Sequence, residues 1–290
     1  MAPVARRVLV TAGIGILFLV LIGATYQGVA TALERRRFPH PGRLIDVGGH
    51  QLHMQCMGAG APTVVLEAPA ATMSAVWARV QSSVARMTRT CSYDRAGLGW
   101  SEAGETPFAP ETAAPQLHAL LMTAGERGPF VIAGAELGAA LARLFAASYP
   151  DDTAGLILVN APGATAAATA AAPSARFLRI APWLARTGVL RVARTWSRTV
   201  SGLPQPAEGE LRSFLNRPDH LARASGELSR WDDTVVLSQA APLRRDLPVI
   251  QVEVEATNRI DLLANERNAR DVRDAIVRAV GRARSVNRGK

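Results

Sequence analysis

The segment Val131-Ile132-Ala133-Gly134-Ala135-Glu136-Leu137-Gly138-Ala139-Ala140 compresses an apolar strand, a tight Gly-x-x-x-Gly turn and an apolar helix into ten residues. A strand passes directly into a helix only through a strained turn, and small residues at Gly134 and Gly138 let the two pack closely around it. In a chain of alternating strands and helices, such a turn lifts one side chain above a parallel sheet. Here that side chain is Glu136. Helix N-termini favour an anion at this place, so the carboxylate is physically comfortable whatever its role.

The rest of the pattern agrees with such a sheet. Leu44–Val47 and Gln51–Met57 read as a hairpin about Gly48-Gly49, Thr63–Leu66 and Thr88–Tyr93 as short strands, and Ser74–Met87 as an amphipathic helix. Thr112–Ala124 and Leu137–Tyr149 are predicted helices, and Pro129–Ala133 and Gly155–Asn160 predicted strands. The fold class expected is α/β, a mostly parallel sheet with helices on both faces. Between Pro162 and about Pro242 the strands stop. An Ala/Thr run (Ala164–Ala172) leads into basic amphipathic stretches such as Phe177–Thr195, read as a helical cap over the sheet's carboxyl edge. Leu247–Val254 returns to strand. Asn268–Gly281 carries Val272, Ile276 and Val280 on one helical stripe.

From Val8 to Leu33 there is no charged residue, with Arg6 and Arg7 before it and Glu34-Arg35-Arg36-Arg37 after it. A helix of that length spans a hydrocarbon core of about 30 Å. A cleaved signal peptide is the competing reading, since Ala30-Thr31-Ala32 has small-x-small character; the long uncharged run favours a retained anchor. Arginines flank both ends, so they do not fix which side of the membrane the domain faces. The division expected is a basic terminus 1–7, a transmembrane helix 8–33, a linker 34–42, a core 43–161, a cap 162–242 and a returning core segment 243–290.

The formal net charge of +9 is carried almost wholly by arginines scattered along the chain. No basic stripe interleaved with aromatics accompanies them, so nucleic acid is not an expected partner. Membrane lipid, reached through residues 8–33, is. His50 and His53 lack a neighbouring cluster of ligands, so no metal and no cofactor is expected. His118, among Leu117, Leu120 and Leu121, reads as core-lining. Cys56 and Cys91 fall on the second and fourth expected strands and read either as two small buried hydrophobes or, should those strands be neighbours, as a disulfide.

Tyr93-Asp94-Arg95-Ala96-Gly97-Leu98-Gly99-Trp100-Ser101, added to the Gly134–Gly138 turn, resembles the loop after the fourth strand of α/β-hydrolase-fold enzymes. The chain as a whole resembles bacterial, membrane-anchored members of that superfamily, in register from about Arg43 to Asn160. The resemblance implies an architectural role for Asp94, Arg95, Gly97, Gly99 and Ser101, and makes the Gly134–Gly138 turn a nucleophile elbow. It also implies a serine at the elbow, a histidine before the last helix, an acid that orients it, and an oxyanion hole of backbone N–H groups, here of Leu137 and Ala68.

The sequence departs from that set at several points. Glu136 replaces the serine. In Ala256-Thr257-Asn258-Arg259-Ile260-Asp261, Arg259 or Asn258 stands where the histidine belongs, and a guanidinium cannot act as a general base. The segment after Leu247–Val254 is too short for the loop of the orienting acid. Ala68-Pro69-Ala70-Ala71 replaces a glycine-rich oxyanion turn, and Asn160 stands where the sixth strand often ends in Asp. The expectation is a membrane-anchored pseudo-hydrolase that binds an apolar or ester-like ligand, or a partner. The alternative is an active hydrolase of an ester, epoxide or halide that uses Glu136 itself as nucleophile.

Overall fold

The computed structural model of the chain describes residues 2–104, 107–163, 180–193 and 199–288. The Ala164–Ala172 run and both ends of Phe177–Thr195 lie outside the described residues.

The first helix, α1 (Ala2–Arg37), runs unbroken for 36 residues. Its Val4–Arg37 part is long and apolar enough to cross a membrane, and none of its most apolar window is buried in the protein. Leu9, Phe18 and Leu19 stand bare, as lipid-facing side chains would. The helix continues through Glu34–Arg37, so the irregular linker is confined to the residues after it. The last third of α1 is not free. A Cβ on Gly23 would run into the carbonyl of Thr187. Gln27, buried, donates its amide to the Asn216 carbonyl at 2.9 Å and accepts Arg191 Nε at 2.9 Å. Arg191 also pairs with Glu34.

Seven strands form one sheet in the order β1-β2-β4-β3-β5-β6-β7. These are β1 (Arg43–Asp46), β2 (Gln51–Met57), β3 (Val64–Glu67), β4 (Thr90–Tyr93), β5 (Phe130–Ala135), β6 (Thr153–Val159) and β7 (Val249–Val252). The β1–β2 and β2–β4 pairings are antiparallel and the rest are parallel. Cys56 of β2 faces Cys91 of β4 in register, and the two form a disulfide.

The parallel strands are buried on both faces, which is why they read as continuous apolar runs. Alternate residues feed two cores. Val64, Leu66, Val131 and Ile157 pack towards Trp77, Val80 and the Val272–Ile276–Val280 stripe of the last helix, α11 (Glu266–Arg288). Val65, Ile132 and Leu156 pack towards Leu117 and Leu121 of α3 (Pro110–Ala124) and Phe145 of α4 (Leu137–Ser148). The helix expected over Ser74–Met87 is a 3₁₀ turn (Ser74–Trp77) followed by α2 (Ala78–Val84). Asp94 Oδ1 takes the Ser74 N–H at 2.6 Å and so fixes the tighter entry.

Between β6 and β7 lie α5 (described over 180–186), α6 (Val189–Val192), α7 (Ala207–Phe214), α8 (Pro218–Ser229) and α9 (Trp231–Ala240). Ala181, Ala185, Leu190, Leu221 and Leu228 close over Ala70 and Leu137. The helix α9 leaves this lid-like group and lies along α4, where Arg143 donates to the carbonyls of Ser238 and Ala241 at 2.7 and 3.2 Å.

Candidate functional site

β5 ends at Ala135, α4 begins at Leu137, and Glu136 between them is held at φ 54, ψ −120. A non-glycine residue there costs on the order of 1–3 kcal/mol, and only a tightly packed surround sustains it. The surround is tight because of the two glycines. A Cβ on Gly134 would collide with the Gly138 carbonyl, and one on Gly138 would lie 2.5 Å from the carbonyl oxygens of Glu67 and Ala68. The Glu136 N–H is tied to the Val159 carbonyl at 2.8 Å, so the neighbouring strand also holds the turn.

The Glu136 side chain points towards the loop after β7. Arg259 Nε lies 2.8 Å from both carboxylate oxygens, with the two side chains 17 % and 22 % exposed. The backbone of Ala70 also favours the charged form of this carboxylate. Burial pushes the Glu136 carboxyl above its ordinary pKa, and Arg259 offsets that only in part. Asn258, the other candidate for the histidine's place, is spent on the backbone instead, where its Oδ1 accepts the N–H groups of Ile260 and Asp261 at 2.9 and 3.0 Å. That braces the turn before α10 (Asp261–Ala264) and leaves Arg259 to reach inward, its guanidinium 5.7 Å from the Trp231 ring centroid.

Beneath the turn is a buried ionic cluster. Arg95 donates from Nε to Glu227 Oε1 and from one terminal nitrogen to Glu67 Oε1, both at 2.6 Å, and also to the carbonyls of Ala68 and Pro69 at 2.7 and 3.0 Å. Glu227 accepts the Ala71 N–H at 2.9 Å, and Tyr93 donates its hydroxyl to Glu67. Burial opposes ionisation of Glu227, but Arg95 prevails and holds its pKa below the ordinary value; at Glu67 burial wins and the pKa rises. The loop's remaining polar groups are also spent on structure. Asp94 accepts from Ser74, Trp100 and His53, and its pKa is held low because these donors outweigh its burial. Ser101 Oγ donates to the Asp94 carbonyl and accepts the His53 N–H at 2.8 Å. Gly97 (φ +78) and Gly99 (φ +51) take turns an L residue resists, and a Cβ on Gly99 would strike the Asp94 carboxylate.

No family model matches the chain. Solved structures do. A thermophilic esterase from Thermogutta terrifontis covers 80 % of this chain and 94 % of its own at TM-score 0.60 and 20 % identity. An enol-lactonase from Burkholderia xenovorans LB400 covers 82 % and 100 % at TM-score 0.60 and 19 % identity. The chain has the α/β-hydrolase fold. A membrane phospholipase A, a bacterial virulence factor, shares this α/β-hydrolase architecture over 97 % of this chain and 99 % of its own, at TM-score 0.56 and 16 % identity. Among curated sequences, an uncharacterized vacuolar membrane protein of Saccharomyces cerevisiae is 33 % identical over 89 residues, and an uncharacterized Schizosaccharomyces pombe protein 28 % over 106. The chain spans only 14 % and 20 % of these fungal relatives' lengths.

Within the α/β-hydrolase frame, the structure brings Glu136 and Arg259 together and places Leu137 at the head of α4. In the turn after β3, the Ala68 carbonyl accepts from Arg95, and the Ala70 backbone favours the charged form of Glu136. Asn160, at φ 43, bridges β6 and β7: its Nδ2 donates to the Val254 carbonyl and its Oδ1 accepts the Val254 N–H, both at 2.8 Å. An ionised aspartate could not donate the first of these. His220 on α8 is fully engaged, with Nδ1 accepting the Gly99 N–H at 3.3 Å and Nε2 donating to the Ala71 carbonyl at 3.2 Å. Burial lowers its pKa to about 4, so it is neutral and its lone pair is taken. His118 is not core-lining: it is half-buried, stacks on Tyr149 at 4.0 Å and bonds Asp152.

Sequence reasoning missed Glu67 and Glu227. A signal for Glu227 exists, since it and His220 interrupt the Leu221–Ala224–Leu228 face of α8, where a buried polar group demands a partner.

Proposed function

We propose that this chain is a membrane-anchored pseudo-hydrolase, in which the α/β-hydrolase site is kept as a shape and no longer turns over. The observation that carries the reading is Glu136 at the nucleophile-elbow position with its carboxylate taken by Arg259 at 2.8 Å. The ion pair occupies the space where a nucleophile and its base would act on a carbonyl, and His220 has no free lone pair to serve instead. Membrane association is supported by α1 and by the relatives described as vacuolar membrane proteins.

Purified full-length protein should hydrolyse no short-chain p-nitrophenyl ester and take up no fluorophosphonate label. Labelling at a serine would sink the reading. The competing mechanism, attack by Glu136 on an epoxide or alkyl halide, draws on the partial exposure of its carboxylate. It needs an ester at Glu136, which intact-mass measurement after incubation with such substrates detects. An adduct there would replace the pseudo-hydrolase reading with that one.

A further inference from the structure

Where α1 ends, a cleft of about 460 Å³ opens between Arg35, Phe38 and His40 on one side and Trp100, Phe214 and Arg217 on the other. That volume suits a small-molecule site. Arg217 is its unusual feature. It is only 8 % exposed, its guanidinium lies 3.6 Å from the Phe214 ring centroid, and its Nε is buried with no hydrogen-bond partner. Among the described residues, the one polar contact of its guanidinium is a 3.5 Å approach to Ser213 Oγ. Among the described residues no carboxylate lies within 4.0 Å of it. Glu34, whose charge it feels most, spends Oε1 on Arg191, while its Oε2 is buried without a hydrogen-bond partner. Burial brings the guanidinium pKa down to about 10, a measure of how poorly the cation is compensated. A buried cation without an anion is costly, and a guanidinium fork matches phosphate geometry.

Depth says which phosphate. The charge-free run of α1 ends at Leu33, and at 1.5 Å per residue Arg35 stands about 3 Å further along. The cleft mouth therefore lies at headgroup level when α1 spans a bilayer. On the same side, α5 and α6 dock near Gly23 and present Trp183, Val189 and Val192 bare to the surroundings. Exposed tryptophan and valine beside a spanning helix suit contact with lipid. His220, bonded to Gly99 and Ala71, stands between this cleft and the turn under Glu136, so an occupant here is not a substrate of the elbow.

We propose that this cleft binds an anionic phospholipid from the leaflet at the C-terminal end of α1, with Arg217 and Arg35 on the phosphate and Phe38, Trp100 and Phe214 against the glycerol and upper acyl chain. The proposal rests on α1 being a membrane span. Carbonate extraction of native membranes tests that span alone, without touching the cleft.

The test of the cleft uses the full chain in dodecyl maltoside micelles, with thermal unfolding followed as phosphatidylglycerol, phosphatidylcholine or inorganic phosphate is added. A bound ligand raises Tm by mass action. Phosphatidylglycerol should raise Tm by several degrees, phosphatidylcholine less, and inorganic phosphate not at all. Arg217→Met should fold at least as stably without lipid and lose the response. Arg35→Ala, at an exposed position, should weaken it, while Arg36→Ala keeps it. Full response in both Arg217→Met and Arg35→Ala overturns the proposal, as does equal loss in Arg36→Ala, which marks diffuse surface charge. A response to inorganic phosphate alone also overturns it, in favour of a free-anion site.

Discussion

Arg259 sets its Nε equidistant, at 2.8 Å, from the two carboxylate oxygens of Glu136, so one nitrogen closes the mouth of the strand-to-helix turn. Both side chains are mostly withdrawn from water, and neither has another side-chain ion partner among the described residues. Removing one leaves the other charge stranded, which costs more than the pair is worth. Glu136→Ala and Arg259→Ala should each lower stability by about 1–3 kcal/mol, and the double variant by less than their sum. Thermal unfolding in micelles across the double-mutant cycle measures this. Strict additivity would mean that the pair is not formed in solution.

Glu136→Ser alone should remain inert towards p-nitrophenyl esters and fluorophosphonates. A serine hydroxyl without a base loses roughly 10²–10⁴-fold in reactivity, and a guanidinium cannot act as that base. Clear hydrolysis by this variant would reveal a base that the present geometry does not contain.

His220 makes a pH prediction with a definite sign. Its folded pKa of about 4 lies below the ordinary 6.5, so the unfolded chain binds more protons between those values. Stability contributed by neutral His220 is present above pH 6.5 and is lost as pH falls towards 4, by at most about 3 kcal/mol. Glu210, pushed up to about 6 by burial, has the opposite slope over part of that range. The difference between wild type and His220→Asn isolates the histidine: the wild type should lose stability faster on acidification. Parallel curves would refute the assignment.

Gly23→Leu should detach α1 from the helical insertion, since its Cβ meets the Thr187 carbonyl. Gly13→Leu and Gly15→Leu, where nothing lies within 4 Å, should be silent. Overpacking of this kind costs typically about 1–3 kcal/mol, and a drop in Tm confined to the first variant is the expected result.

Truncation should separate anchor from dock. Deleting residues 1–21 should release a folded domain from membranes, whereas deleting 1–33 should also lower Tm, because it strips Gln27 from Asn216 and Arg191. Equal Tm values for the two truncations would show that this contact contributes nothing.

The sheet was legible because its strands are short, apolar and punctuated by turn residues, and because Gly134–Gly138 and Tyr93–Ser101 tolerate few alternative geometries. The pairing of Cys56 with Cys91 was open, since either outcome suits two buried cysteines; register decided it. Least legible were contacts between segments far apart in sequence. Arg95 with Glu227 and Arg217 with the end of α1 depend on how the insertion seats, and no local period encodes that. The docking of α1 was hidden for another reason. Gly23 and Gln27 sit in a run whose hydrophobicity already had a sufficient explanation in the bilayer, so a second, protein-facing use of the same residues left no trace in composition.

The contact of Gly23 to Glu34 with the insertion joins anchor and domain over about three helical turns, rather than through the short linker alone. With α1 in a bilayer, the domain rides at one height and one attitude above the lipid, free to drift and spin about the membrane normal but not to tumble. Whatever meets Glu136 or the cleft at Arg217 is then sampled from a thin layer along the membrane, and lateral diffusion within that layer, more than concentration in the bulk, sets how often the two meet.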